Sequence, residues 1–197
     1  MNNKYSKIII PLLSVTSIVL LSSISISLAW YATGNSLTID NMKVTLARVD
    51  ERLIHGQVMT AWCKKCWIKT IILVDKEIAQ DEFMISVLEM SAPAGVKVIV
   101  KSPSDAVSLL ANDSSDDSTL LLFKDIENVD ELVKHGYPLK ELNIGNVGSS
   151  SIRKPITREV YVSQQEKEIL RNLSQSGVNV YIQKLPGDNS VDIMTKI

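Results

Sequence analysis

The stretch KVTLARVDERLIHGQVMTAWCKKCWIKTIILV, residues 43 to 74, contains two apolar runs joined by an amphipathic segment. KVTLARV (43–49) and IKTIILV (68–74) predict strands, and GQVMTAWCKKC (56–66) between them predicts a helix. A strand, a helix and a second strand in this order make a crossover unit, in which the two strands run parallel. The stretch therefore predicts an α/β fold built on a parallel sheet.

The alternation of strands and helices continues to the end of the chain. TLLLF (119–123) is a continuous apolar run of the kind that a parallel sheet buries on both faces. Ser163 and Glu166 have the spacing of a capping box and predict the start of a helix that ends at Gly177. Further strands are predicted at 96–101, 141–145, 159–162 and 178–184, and a last helix at 190–197. The predicted fold is α/β, with a mainly parallel, doubly wound sheet and helices on both faces.

The composition limits the classes of function. Of the 197 residues, 45% are hydrophobic and 22% are charged, and 21 basic against 22 acidic side chains give a net charge of −1. Such a chain can bury the core of one domain and carry an appendage. The basic residues form no stripe interleaved with aromatic side chains, so nucleic acid is not an expected partner.

A hydrophobic leader precedes the alternating pattern. Residues 8–32 carry no charge and follow Lys4 and Lys7, which is typical of a signal sequence or a membrane-spanning segment. The change in composition predicts a leader at 1–41 and one α/β domain at 42–197.

The candidate site follows the first predicted strand. Asp50, Arg52 and His55 lie within six positions, at the edge where open α/β sheets bind their ligands. Arg48 lies near the end of the apolar strand, and a guanidinium is costly to bury there unless it reaches a crevice or an anion. The next helix begins near Gly56 with free N–H groups. These residues predict a site for phosphate or a similar anion.

Four sequence motifs carry a family resemblance. They are ARVDERLIHGQV at 47–58, SAPAGVKV at 91–98, LNIGNVG at 142–148 and SGVNVYIQKLPGD at 176–188. In their order and separation they resemble the IIB subunits of mannose-family sugar phosphotransferase systems, the group that takes up mannose, fructose, sorbose and N-acetylgalactosamine. The resemblance covers residues 42–197.

The resemblance implies phosphoryl transfer through a histidine. His55 would accept a phosphoryl group from a phosphohistidine on a IIA domain and pass it to a sugar translocated by the membrane subunits IIC and IID. Arg52 and Arg48 would neutralise the phosphoryl oxygens, Asp50 would hold the other ring nitrogen, and Gly56 would let the backbone come close. No cofactor or metal is implied, and neither the sugar nor the oligomeric state can be read from the sequence.

The resemblance and the leader imply different locations. A IIB subunit would work in the cytoplasm, peripheral to the membrane through IIC and IID, whereas Lys4 and Lys7 before the apolar run would send the domain outside. Met42 stands at the start of the family-like sequence. We therefore interpret residues 1–41 as an upstream translation, a misassigned start or a fused segment, whereas a native leader would attach the chain to the membrane.

Two other functions remain open at the level of sequence. A receiver-like signalling domain would bind Mg²⁺ through Asp50 and Glu51, accept a phosphoryl group on Asp75 and use Lys124 as its cation. A membrane-tethered binding module without catalysis would take up no phosphate. The RVDERLIHGQV string is unexplained by either alternative.

Two further motifs have both a functional and a structural interpretation. Cys63 and Cys66 form a CxxC motif, but they lie late in the predicted helix, away from the terminus that would lower a thiol pKa, so a redox or zinc role is not favoured. The loop at 145–158, with Arg153 and Lys154, would either frame the phosphoryl site and contact partners or be an ordinary solvated loop.

Overall fold

The computed structural model describes residues 44–112, 115 and 117–197. Their strands form a main sheet in the order β3-β2-β4-β1-β5-β8-β9 and a separate β6-β7 pair. The strands are β1 Val44–Asp50, β2 Thr70–Val74, β3 Lys97–Lys101, β4 Thr119–Phe123, β5 Glu141–Asn146, β6 Lys154–Pro155, β7 Tyr161–Val162, β8 Asn179–Ile182 and β9 Val191–Asp192. All pairings in the main sheet are parallel except that of β9 with β8.

Five helices connect the strands in the described part of the chain. They are α1 Gly56–Lys65, α2 Glu82–Met90, α3 Pro103–Asn112, α4 Ile126–Lys134 and α5 Gln164–Gln175. The capping box predicted at the start of α5 is present, with both reciprocal bonds between Ser163 and Glu166. None of the described helices is long and apolar enough to cross a bilayer.

The helices pack on both faces of the sheet, as the sequence predicts. One core cluster includes Met59 of α1 and Leu88 of α2, and the other includes Val129 of α4 and Leu170 of α5. The interior strand β4 is buried along its whole length, because its side chains alternate between the two clusters. The mainly parallel, doubly wound α/β architecture is confirmed.

One predicted element is wrong, and one predicted strand forms outside the main sheet. Residues 190–197 do not form a helix: Val191–Asp192 pairs antiparallel with β8, and a single 3-10 turn, Ile193–Thr195, follows. The eight residues are too few for a stable helix, and Asp192 caps only this one turn. The short strand predicted at 159–162 pairs with Lys154–Pro155 outside the main sheet.

The topology creates a crevice between β1 and β5. From β1 the chain crosses to β2 through α1, whereas from β5 it crosses to β8 through α5, which packs on the opposite face. Ligands of open α/β sheets bind where neighbouring strands diverge in this way. The predicted leader at 1–41 lies outside the described residues.

Candidate functional site

The carboxyl end of β1 carries the polar cluster that the sequence predicts. We call Arg48, Asp50, Arg52 and His55 the β1 rim. The chain turns sharply after Asp50, since the N–H of Leu53 donates to the Asp50 carbonyl at 2.9 Å and Leu53 has a φ of 60°. This turn brings His55 to the position directly before helix α1.

Asp50 lies at the centre of the rim, between two guanidinium groups. Its side chain is fully buried, and its Oδ2 lies 2.9 Å from Nη2 of Arg48. Nε of Arg52 donates to Oδ1 at 3.1 Å, and Nη2 of Arg52 donates to Oδ2 at 3.3 Å. A buried carboxylate held by two arginines is satisfied and also orients both cations. The Arg52 side chain remains 40% exposed, so it can reach a ligand.

Arg48 lies in the interior of the β1 rim and is not exposed at its surface. Nη1 of Arg48 donates to Oδ1 of Asn143 on β5 and, at 3.0 Å, to the carbonyl of Gln183, which follows β8. Burial lowers the pKa of Arg48, and the Asp50 carboxylate opposes that shift. The expectation that Arg48 touches phosphoryl oxygens is not met, because its guanidinium is fully buried against these partners.

The surroundings of Arg48 explain two other motifs. Its guanidinium lies 5.3 Å from the centre of the Trp62 ring, and the Trp62 indole N–H donates to the Lys184 carbonyl at 3.0 Å. A Cβ added at Gly145 would collide with the same guanidinium. Gly145 in the LNIGNVG stretch therefore leaves room for the buried Arg48 guanidinium. Trp62 in α1 packs against the same guanidinium.

His55 is partly exposed and is not held by Asp50. Its Nδ1 lies 3.0 Å from the carbonyl oxygen of Leu53, and its Nε2 is buried without a hydrogen-bond partner among the described residues. The predicted contact between Asp50 and the ring is thus wrong: the turn places the nearer Leu53 carbonyl at the ring, and both arginines occupy the carboxylate.

A cavity of about 610 Å³ opens beside the His55 ring. Gly56 and Thr60 line it from α1, and Ser91 and Pro93 line it from the loop after α2. Gly56 has a φ of 46°, a conformation that glycine adopts without strain, and open space surrounds it. Lys64 also lines the cavity. No sequence motif connects it with His55, which lies nine positions earlier in the chain.

The loop after β5 is tied to the rim by charge. The Glu51 carboxylate accepts from the Gly148 N–H at 2.7 Å and pairs with Arg153 at 3.3 Å. Arg153 also pairs with the buried Glu166 at 2.6 Å. Arg153 is therefore a bridge between the loop and helix α5, whereas Lys154 is exposed.

A second polar cluster lies at the carboxyl ends of β2 and β4. We call Asp75, Asp125 and Asn128 the β2 rim. Oδ1 of Asp75 accepts from the N–H groups of Glu77 and Ile78 at 3.0 and 2.8 Å. The Asn128 amide donates to Asp75 at 3.0 Å and to Asp125 at 2.9 Å. Asp75, only 3% exposed, is thus occupied as a cap, which argues against its role as a phosphoacceptor.

The two cysteines are free thiols in an apolar setting. Burial raises the pKa of Cys63 to about 11 and also raises the pKa of Cys66. Neutral thiols are poor nucleophiles and poor metal ligands, so the structure gives no support to a redox or zinc role. Within the described ranges, no group of three or more His, Cys, Asp or Glu side chains could hold a metal ion.

The fold and the β1 rim define a class of protein: an α/β protein with a histidine and an arginine-held carboxylate at the carboxyl edge of a parallel sheet. The family model of the sorbose subfamily IIB component of phosphotransferase systems matches residues 44–197. The chain is 36% identical over 157 residues to the sorbose-specific EIIB component of Klebsiella pneumoniae, covering 79% of this chain and 96% of that protein. It is 34% identical over 154 residues to the fructose-specific EIIB component of Bacillus subtilis, covering 78% and 94%.

Solved structures agree with these relatives. The IIB domain of the Klebsiella pneumoniae sorbose permease superposes with a TM-score of 0.75 at 35% identity, covering 79% of this chain and 96% of that one. The N-acetylgalactosamine-specific IIB component 1 of Escherichia coli superposes with a TM-score of 0.71 at 30% identity, covering 76% and 97%. The chain belongs to the sorbose-type IIB family, the phosphocarrier subunits of sugar phosphotransferase systems.

Proposed function

We propose that His55 is the residue that carries the phosphoryl group. The observation that supports this most directly is its position: His55 follows the arginine-held Asp50 by five residues and lines an open cavity. The other histidine of the chain, His135, ends helix α4 and shares no cavity or cation with that rim among the contacts described. Of the two histidines, the position of His55 therefore supports the proposal and that of His135 does not.

The chemistry needs one ring nitrogen and fixed positive charge. The lone pair of that nitrogen attacks phosphorus, a new P–N bond forms, and the P–N bond to the donor histidine breaks. In the second half, a sugar hydroxyl oxygen attacks phosphorus, the P–N bond to His55 breaks, and the hydroxyl proton passes to the released imidazole and from there to solvent. Arg52 binds phosphoryl oxygens, and Asp50 orients its guanidinium from behind. Arg48 acts indirectly, as the positioning residue that fixes Asp50.

Phosphorylation requires the ring of His55 to move. Nδ1 lies against the Leu53 carbonyl, so a phosphoryl group there would displace a hydrogen bond. Nε2 is buried, so a phosphoryl group there would have no room until the ring turned. On either nitrogen the ring must leave its present position, and the adjacent cavity is the space that it can enter.

The partners follow from the family. The mannose-specific relative of Escherichia coli is an EIIAB component, 30% identical to this chain over 159 residues that make up 49% of its length. We propose a IIA domain as phosphodonor, a sugar as final acceptor and IIC and IID as the membrane subunits. The chain would then be a protein-phosphohistidine sugar phosphotransferase at the cytoplasmic face of the membrane.

We further propose that residues 1–41 form no part of the phosphocarrier. The family match begins at residue 44, and a phosphodonor fed from the cytoplasm could not reach an exported domain. Mass spectrometry of the native N-terminus tests this. A chain that begins near Met42 in the cytoplasmic fraction is expected, and a chain that begins near Trp30 outside the cell would contradict the proposed location.

The function is tested by a phosphorylation assay with phosphoenolpyruvate, the general phosphotransferase proteins and a cognate IIA domain. Wild type should take up label, His55→Ala should take up none, and His135→Ala should match wild type. The second histidine provides the matched control, since the same change is made at a helix end far along the chain. Label that persists on His55→Ala would refute the proposed acceptor.

A further inference from the structure

The cavity beside His55 has a cation of its own. Lys64 lines it together with His55 and Thr60. Gly56, Thr60 and Lys64 follow one another at intervals of four along α1, so they share the face of the helix that continues from His55. The lysine and the histidine therefore bound the same space from two ends.

Lys64 has no counter-ion within the described ranges. The ion pairs there include Lys134 with Asp130 and Lys184 with Glu159, but none involves Lys64. Among the residues that the structure describes, no aspartate or glutamate lines the cavity. A cation that faces a cavity without a carboxylate is available to an anion that enters it.

The ammonium of Lys64 can approach the ring. Nine residues along a helix separate the two Cα atoms by about 13 Å at a rise of about 1.5 Å per residue. Helical side chains lean toward the N-terminus, so the four-carbon stem of lysine brings its ammonium back by roughly one turn. A phosphoryl group that projects from the ring into the cavity would span much of the distance that remains between the ring and the Lys64 ammonium.

The arginines of the β1 rim have few free N–H donors for a phosphoryl group, so a second cation is needed. Arg48 is fully buried, and two of the three nitrogens of the Arg52 guanidinium already donate to Asp50. The transferred group spreads negative charge over three oxygens, and the β1 rim has only one partly exposed guanidinium to offer them. The cavity, which is the space that the ring can enter, has Lys64 as its cation.

We propose that the cavity is an oxyanion subsite in which Lys64 contacts a phosphoryl oxygen when the group is on His55 and while it is transferred. This inference rests on the function proposed above for His55. Lys64 acts as a cation, so it donates a charge-assisted hydrogen bond and takes no part in proton transfer. The ligand class is a phosphoryl oxyanion.

The chain provides a matched control in the next residue. Lys65 is exposed like Lys64, lies in the same last turn of α1 and is in none of the ion pairs of the described ranges, but it does not line the cavity. Lys64→Gln and Lys65→Gln thus remove the same charge from the same helix end. Because both lysines are exposed, neither change should alter the thermal unfolding midpoint of the full chain by more than a small amount.

The experiment measures kcat and KM for phosphorylation of the full chain by a phosphorylated IIA domain. Lys64→Gln should lower kcat by about tenfold or more, Lys64→Arg should restore most of it, and Lys65→Gln should match wild type. The ³¹P resonance of the phosphorylated protein should shift in Lys64→Gln and stay in place in Lys65→Gln.

Two results would overturn the inference. In one, Lys64→Gln matches Lys65→Gln in both kcat and ³¹P shift. In the other, only KM rises, which would make Lys64 a docking residue for the IIA domain. Both results leave His55 as the acceptor, whereas wild type that takes up no label would refute the function itself.

Discussion

Two aspartates lie at the carboxyl edge of the same sheet, at the ends of strands β1 and β2, which β4 separates, and their surroundings differ in charge. Asp50 ends β1 and is bonded to two guanidinium groups. Asp75 follows β2 and is bonded to backbone N–H groups and to the amide of Asn128, with Asp125 close by. Both carboxylates are buried, so burial alone does not distinguish a functional site from a structural one.

The difference lies in the sign of the local charge and in what adjoins it. The β1 rim has two cations for one carboxylate and opens on a cavity with a histidine. The β2 rim has two carboxylates, and its hydrogen-bonding capacity is used to cap two helical turns. On the proposed function, an incoming phosphoryl group, which is an anion, would therefore be attracted to the first region and not to the second.

Removal of Arg48 should give the largest effect. Arg48→Met leaves the Asp50 carboxylate buried with one partner fewer and should lower the free energy of unfolding by about 3–5 kcal/mol. Arg52→Met, at a partly exposed pair, should cost about 1 kcal/mol or less but reduce phosphoryl transfer strongly. Denaturant unfolding with a transfer assay separates the two roles. Equal stability losses would contradict the division between positioning and binding arginine.

A methyl group at Gly145 should perturb the same arginine. Gly145→Ala puts a Cβ on the buried Arg48 guanidinium and should cost about 1–3 kcal/mol, with slower transfer. Gly148→Ala is the control, because its Cβ would meet only the tip of Glu51, whose side chain is 42% exposed and can move. Thermal or denaturant unfolding of both variants checks this. If Gly148→Ala is as unstable as Gly145→Ala, the loop tolerates no added methyl group at either glycine, and the loss is not due to Arg48 in particular.

Substitution of Asp75 should affect stability and not function. In Asp75→Asn the Oδ1 still accepts from Ile78, but an NH₂ group then faces the Asn128 amide, so a loss of about 1 kcal/mol is expected. Uptake of phosphoryl label should equal that of wild type, whereas Asp50→Asn should take up much less. Loss of label in Asp75→Asn alone would instead support the receiver-like alternative.

Asp125 should show the smallest effect, and only near neutral pH. Burial, followed by repulsion from Asp75, raises its pKa in the folded state above the ordinary 3.8. The folded state thus binds this proton more tightly, and the resulting stabilisation, complete below pH 3.8, is lost as pH rises through the raised pKa.

Asp125→Asn keeps the helix-capping oxygen and removes the charge. It should raise the free energy of unfolding at pH 7 by less than about 1 kcal/mol and leave it unchanged below pH 3.8. Unfolding curves at both pH values test this. A destabilised Asn variant at pH 7 would show that the ionised carboxylate helps the fold.

The sequence predicts most of the architecture because local signals agree with the fold. The apolar run at 119–123 is an interior strand that is buried throughout, and the Ser163–Glu166 spacing is a real capping box. The prediction fails at 190–197, where eight residues form an edge strand and one turn. In so short a segment, pairing with β8 decides the conformation, and periodicity cannot reveal that pairing.

The proximity of the candidate site residues could be predicted, but their contacts only in part. The proximity of Asp50, Arg52 and His55 is visible in the sequence, and all of them lie on one rim. The contact of Arg48 with Asn143 joins residues 95 positions apart, so no local pattern shows that Arg48 faces inward. Sequence motifs do not indicate Lys64, because its link to His55 depends on the direction of helix α1.

Identification of the labelled residue itself is the most direct test of His55 as the phosphocarrier. The chain is phosphorylated through its phosphodonor, digested and analysed by tandem mass spectrometry, and intact samples are treated with alkali and with hydroxylamine. We expect label on the peptide that contains His55, stable to alkali and resistant to hydroxylamine. Label on the peptide that contains Asp75, released by hydroxylamine, would contradict this assignment.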